Sequence, residues 1–225
     1  TIACPADVAV NTDLGSCDAT GVNLGTPVTA DNCNVASVVN DAPASFPLGS
    51  TTVTWTVTDD SGNTTTCTQE VTVTDVEVPS MTCPADQNVP SDANCQFTML
   101  DYTGLAIAAD NCDTSVDVTQ SPAVGVIVSG TTTVTLTATD NFGNFSTCTF
   151  DLIVIDNTNP IITTCAPDVT ELVDTNCEVA LPDYTASVIA TDNCDLSLTY
   201  TQVPAPGTIL SGYASVTPVT ITVTD

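Results

Sequence analysis

The stretch GSTTVTWTVTDDSGNTTTCTQEVTVTD, residues 49–75, decides the fold. Val53, Trp55 and Val57 alternate with threonines, the period-2 pattern of a strand with one buried face. Asp60-Ser61-Gly62-Asn63 follows, and Gly and Asn are the residues that accept a positive φ, so the chain turns back as a hairpin. Cys67, Val71 and Val73 then share one face of the returning strand. By parity Trp55 points inward.

Working outward, the same unit recurs. Gly49-Ser50-Thr51-Thr52-Val53-Thr54 matches Gly130-Thr131-Thr132-Thr133-Val134-Thr135, and Val134, Leu136 and Ala138 repeat the alternation, as do Val219, Ile221 and Val223. Asn141-Phe142-Gly143-Asn144 repeats the turn, and Cys148, Phe150, Leu152 and Val154 the return strand. Earlier in the unit, Cys95, Phe97 and Met99 share a face, matching Cys177, Val179 and Leu181. Cys4-Pro5-Ala6-Asp7 returns as Cys83-Pro84-Ala85-Asp86 and Cys165-Ala166-Pro167-Asp168, in steps of 79 and 82 residues. Ala30-Asp31-Asn32-Cys33 returns as Ala109-Asp110-Asn111-Cys112 and Thr191-Asp192-Asn193-Cys194 with the same steps. The predicted repeats are 1–77, 78–158 and 159–225, the third lacking its last strand and read as cut short at Asp225. No helix pattern stands out. Units of about 80 residues with several short strands and frequent turns predict an all-β chain of tandem β-sandwich repeats. Position 1 already lies inside a repeat, so the sequence reads as a piece of something longer, with no visible signal peptide.

Composition removes whole classes of function. The 225 residues include no Lys, Arg or His against 27 Asp and Glu. Nucleic acid and anionic membrane surfaces need basic side chains and are excluded as partners. No apolar run reaches the 18 residues of a membrane span, so direct membrane insertion is not expected either. Such a like-charge excess strains a compact state, and divalent cations would relieve it. Eleven cysteines, none closer to the next than 12 positions, argue for disulfides in an oxidising compartment rather than a close-spaced zinc site. Without His or Lys there is no triad and no Schiff base, and Asp60-Ser61-Gly62 reads as a turn rather than a protease signature. No enzymatic activity is expected. Asn63-Thr64-Thr65 and Asn144-Phe145-Ser146 fit the N-glycosylation pattern, though each Asn also has a backbone reason to sit in its turn.

These motifs (CPxD, an internal DNC, then GTTTVTxTxTDxxGNxxxCTxxxxVxD) resemble the hyalin repeat, HYR, an immunoglobulin-like extracellular module. The four-cysteine, lysine-poor form resembles the tandem repeats of giant Bacteroidetes surface adhesins, including gliding-motility adhesins exported by type IX secretion. The resemblance implies immunoglobulin-like sandwiches, an extracellular, cell-surface place and no catalysis. It also implies the outer cystines Cys4–Cys67 and Cys83–Cys148, and with them the inner pairs Cys17–Cys33, Cys95–Cys112 and Cys177–Cys194, leaving Cys165 unpaired by the truncation. Sequential pairing, which leaves Cys194 unpaired, stays open. If Cys17 opens the second strand, it sits at the far end of the domain from Cys33, whereas a bridge needs Cα atoms within about 7 Å.

In that topology the Asp-Asn-Cys loop, the hairpin turn and the incoming linker meet at one end of each sandwich. The linkers are acidic and end in proline, Asp75-Val76-Glu77-Val78-Pro79 and Asp156-Asn157-Thr158-Asn159-Pro160. Calcium, which takes six to eight oxygen ligands, is therefore the expected cofactor at the junctions. Asp75, Glu77, Asp110 and Asp140 would form one site, and Asp156, Asn159, Asp192 and Asp225 the other. The expected role is a stalk or filament segment of a large surface adhesin, its partners the neighbouring repeats of its own chain. The alternatives are an adhesive module gripping surface polysaccharide or protein, and self-assembly with like chains. Sugar sites use exposed aromatics, and Tyr102, Tyr184, Tyr200 and Tyr213 are the candidates, with packing the expected role of the first two. The absence of Lys and Arg also leaves trypsin no site to cut.

Overall fold

A computed structural model describes residues 1–212 and 216–225; Tyr213 lies outside them. Apart from the 3-10 turns Thr103–Leu105 and Thr185–Ser187, the regular structure of the described residues is all strand. The chain divides by contact density into two compact units, each built from three segments of the sequence. One holds residues 1–85, 101–123 and 134–150, the other residues 86–100, 124–133 and 151–225. This division does not follow the sequence period, because the second repeat contributes segments to both.

In the first unit, repeat one forms a four-stranded sheet in the order Val8–Asn11, Thr64–Thr74, Gly49–Asp59, Val35–Asn40. Val8–Asn11 runs parallel to the end of Thr64–Thr74, with Val8 beside Val71. The hairpin strands are antiparallel, with Trp55 opposite Cys67. Ile2–Ala3 pairs with Val28–Thr29, and Asp18–Thr20 with Ser45–Pro47. Ala19, Phe46, Val53, Trp55, Val71 and Val73 form one buried cluster, so the inward positions of the sheet meet residues from a second layer. The period-2 reading thus translates directly into burial, and a sandwich core results. The same unit pairs Ser80–Thr82 with Ile107–Ala109, and Asp117–Ser121 with Thr135 to Thr139. Val134, Leu136 and Ala138 are fully buried, and Tyr102 meets Phe150 edge-on at 5.5 Å.

The second unit pairs Gln87–Pro90 in parallel with Leu152 to Ile155, and Phe97–Thr98 with Ile127–Val128. From repeat three it pairs Ile161–Thr164 with Ile189–Thr191, Glu178–Ala180 with Ile209–Ser211, and Thr199–Val203 with Thr220–Thr224. Met99, Leu152, Leu181 and Val188 are buried there.

Three glutamines in inward-facing positions are structural devices that the strand pattern does not announce. Gln69, 1% exposed, accepts from Trp55 Nε1 at 3.0 Å and donates to the carbonyls of Ala6 and Leu24 at 2.6 and 3.0 Å. Gln120 accepts from the Tyr102 N–H and Gln202 from the Tyr184 N–H, each pinning an Asp-Tyr-Thr turn.

Candidate functional site: the repeat junctions

The cystines reach from one repeat into the next. Cys4 bonds Cys67 and Cys83 bonds Cys148, with Cα atoms 5.8 and 5.7 Å apart. The inner pairs implied by the resemblance are corrected. Cys17 bonds Cys112 rather than Cys33, and Cys95 bonds Cys194 rather than Cys112, leaving Cys194 unavailable to Cys177. Sequential pairing fails for the same reason. Cys33, Cys165 and Cys177 are free and exposed.

The physical reason lies in the long hairpin strand of repeat one. Cys17 is held beside its start, where the Leu48 N–H donates to the Cys17 carbonyl. Cys33 is two residues before Val35, which pairs with Asp59 at the other end. The strand between has 11 residues, at about 3.3 Å each. A bridge cannot span that length, so Cys17 takes the loop that the following repeat delivers.

That loop is gripped on both sides. Asn111 donates from its amide to Glu77 Oε2 at 2.8 Å and to the Ser16 carbonyl at 3.3 Å, and the Gly15 N–H donates to the same Glu77 oxygen at 2.8 Å. In the second unit Asn193 Nδ2 donates to the Asp92 carbonyl at 3.5 Å, beside the Cys95–Cys194 bond. Behind each loop the first Asp turns the chain. Asp110 Oδ1 accepts from the Cys112 and Asp113 N–H groups, and Asp192 Oδ1 from those of Cys194 and Asp195. The N–H groups of Asp195 and then Cys194 hold the Asp192 carboxyl below its usual range.

The expected cation ligands are partly brought together. Oxygens of Asp75 and Asp110 and the sulfur of Cys112 lie within 4.8 Å of one another; so do oxygens of Asp156, Asp192 and Asp225. The Cys112 sulfur is in a cystine and is no thiolate, so the first cluster is carried by its two carboxylates. Asp75 is 2% exposed, and its Oδ2 is buried without a hydrogen-bond partner. The Oδ2 atoms of Asp110, Asp156 and Asp192 are in the same condition. Buried carboxylate oxygens facing one another call for a counter-cation, and the chain has no cationic side chain to offer.

Three expected ligands lie outside these clusters. Glu77 holds the Asn111 loop. Asn159 is exposed in its linker. Asp140 organises its own hairpin: Oδ1 accepts from the Phe142 and Asn144 N–H groups and Oδ2 from the Asn144 amide. Asp59 does the same with Ser61 and Asn63. The side-chain amides of Asn63 and Asn144, where a glycan would attach, are therefore occupied in the turns.

Asp113 is a residue that the sequence reading missed. It is buried and accepts from the N–H and the side-chain amide of Asn141, tying loop to hairpin tip. In repeat one the chemistry is exchanged, with Asn34 donating to Asp60. A signal was available in the paired swap of Asp for Asn at aligned positions.

The Asn63 side-chain amide, then its N–H, lowers the Asp59 carboxyl below its ordinary value. Burial raises that of Asp140, but the Asn144 amide and neighbouring N–H groups outweigh it and the net is also downward. A depressed folded pKa contributes stability that is complete above the unfolded value and lost as pH falls through the folded one. Amide-exchange protection of Asn63 and Asn144 is thus expected to hold from pH 7 to about 5 and to fall below about pH 4. D59N/D140N, which keeps an acceptor and removes the titration, should flatten the profile; an unchanged profile would refute the assignment.

The tyrosines form no exposed aromatic platform among the described residues. Tyr102 is buried, Tyr200 half-buried, and Tyr184 half-buried with its hydroxyl donating to Glu171. No described helix is long and apolar enough to cross a membrane.

Fold, cystines and relatives together define an extracellular, immunoglobulin-like repeat module. Residues 1–73 match the family model of the HYR domain, and the chain contains a HYR domain. The chain is 34% identical over 175 residues to hyalin of Lytechinus variegatus, covering 72% of this chain and 32% of that protein. It is 31% identical over 163 residues to the sushi, von Willebrand factor type A, EGF and pentraxin domain-containing protein 1 of Rattus norvegicus, covering 68% of this chain and 4% of that protein. The chain thus spans less than a third of these relatives. A human CDH23 EC21-23 structure aligns over 93% of this chain and 90% of its own at 15% identity, with a TM-score of 0.38, too low to bear on function.

Proposed function

We propose that the chain is a structural segment of an extracellular, cell-surface stalk or filament, its repeats joined end to end and its junctions closed by cystine and by calcium. The observation that supports this reading is the inter-repeat cystine. Cys17–Cys112 and Cys95–Cys194 spend one bond per junction on holding one repeat to the next, which is useful for a rod and needless for independent binding modules. A setting in a giant bacterial surface adhesin, with gliding motility and type IX secretion, is part of the proposal and rests on the repeat's four-cysteine, lysine-free pattern. Electron microscopy of the native material is expected to show filaments with one bead per repeat; free compact particles would sink the stalk.

Calcium is the cation that suits oxygen-only ligands at millimolar extracellular levels. Asp75 and Asp110 would hold it at the first junction, and Asp156, Asp192 and Asp225 at the second, with carbonyls and water completing the shell. Titration calorimetry should register calcium binding, and chelator should lower the melting temperature. D75N/D110N should weaken binding at the first junction by about tenfold or more, the loss of a charged contact. No calcium heat together with a melting temperature indifferent to chelator would remove the cation from the proposal.

A further inference from the structure

At the first junction one carboxylate serves the cystine and the carboxylate cluster at once. Asp110 Oδ1 accepts from the Cys112 N–H at 2.8 Å and so fixes the backbone that carries the sulfur. Its Oδ2 is buried without a partner, and the carboxylate lies within 4.8 Å of both Asp75 and the Cys112 sulfur. The linker side is built to match. Asp75 Oδ1 accepts from the Glu77 N–H at 3.1 Å. Glu77 Oε2 accepts from Gly15, two residues before Cys17, and from Asn111, one residue before Cys112, each at 2.8 Å. Both cysteines therefore hang from the linker that supplies Asp75, and every one of these residues belongs to the first unit. The cluster is more than an acidic patch, because Asp75 is 2% exposed and its Oδ2 has been given no donor.

Two carboxylates this close repel when no cation lies between them. The Cys17–Cys112 bond is then the covalent tie that keeps the Asp110 loop against the linker. A divalent cation reverses the repulsion and by itself draws Cys112 toward Cys17. We propose that calcium and the Cys17–Cys112 cystine are coupled at this junction: the bond preorganises the cation site, and the cation favours the bond and guards it from reduction. The proposal rests on the calcium reading of the junction and adds its regulation, by the thiol–disulfide poise of the surroundings. Linkage makes the coupling reciprocal. The factor by which the bond raises calcium affinity is the factor by which calcium raises the equilibrium constant of the bond, here about tenfold.

Bond formation needs an oxidant, and a small-molecule disulfide suffices. One protein thiolate attacks the oxidant, forming a mixed disulfide and releasing one small thiol. The second protein thiolate attacks the protein sulfur of that mixed disulfide and releases the other. Two protein thiols are oxidised to one cystine and one disulfide is reduced to two thiols, while calcium is bound but not consumed.

The test equilibrates the 225-residue chain in oxidised and reduced glutathione, with millimolar calcium or with chelator at matched ionic strength. Thiols are trapped by alkylation, and Cys17 and Cys112 are read by peptic mapping, since trypsin has no site. The glutathione poise that opens half of the Cys17–Cys112 bond is expected to be about tenfold more reducing in calcium. D75N/D110N should abolish the shift. Calorimetry supplies the reciprocal measurement: in a D156N/D192N chain, which silences the second junction, C17S/C112S should bind calcium about tenfold more weakly. If C17S/C112S does not fold, the glutathione equilibrium decides alone. A shift that survives D75N/D110N would be general screening of the 27 acidic residues and would overturn the proposal. A bond indifferent to calcium would overturn it too, and calcium binding would then leave the cation reading standing. No calcium binding to the unsubstituted chain would mean that the cation reading itself had failed, and the coupling with it.

Discussion

C17S/C112S is expected to destabilise the first unit by about 4 kcal/mol. The bond closes a sequence separation of 95 residues, and the chain-entropy estimate for an uncross-linked loop of that order is somewhat above 4 kcal/mol. For a chain of this size, 1 kcal/mol moves a melting midpoint by roughly 2–4 °C. Calorimetry should therefore show a transition lowered by about 10 °C. C33S is the control: its thiol is free and exposed, so its melting curve should match that of the unsubstituted chain. A double variant melting with the parent would mean that the junction is held by other contacts and that the cystine is dispensable.

Q69L is the second substitution with a large expected effect. Leucine nearly matches the volume, yet it leaves the Trp55 indole N–H and the carbonyls of Ala6 and Leu24 without their partner. Each abandoned buried group costs about 1–3 kcal/mol, so a loss of about 3 kcal/mol or more is expected by denaturant unfolding. Q69E keeps an acceptor for the indole but cannot donate to either carbonyl, and should be at least as damaging. A Q69L protein as stable as the parent would show that the amide is ornamental.

Gln69 also marks where reading the sequence stops short. The alternation of Val53, Trp55, Val71 and Val73 is carried by side-chain type, so strand, face and core are legible from it. A glutamine at a buried parity position interrupts that alternation, and only the three-dimensional neighbours reveal why it is tolerated. The cystines pose a different difficulty. Cys33, Cys112 and Cys194 are equivalent under the repeat, so the period itself cannot say which of them meets Cys17; the length of the Gly49–Asp59 strand decides it. The junction carboxylates were half legible. Asp75 with Asp110, and Asp156 with Asp192 and Asp225, do converge, because linker and loop recur in a fixed order. Asp140 was indistinguishable from a ligand on paper, since turn formation and cation binding recruit the same oxygens.

The stepping of Cys17 to Cys112 and Cys95 to Cys194 has a mechanical meaning. Tension entering the first repeat can leave through a sulfur–sulfur bond into the second without crossing the strands between. Residues 18–94 are then shielded from the load, which passes through residues 95–112 to the Cys95–Cys194 bond: about 250 Å of extended contour, at about 3.3 Å per residue, stays locked however hard the ends are drawn. Such a chain behaves under traction as an inextensible cord rather than a spring, and reducing agent converts one into the other.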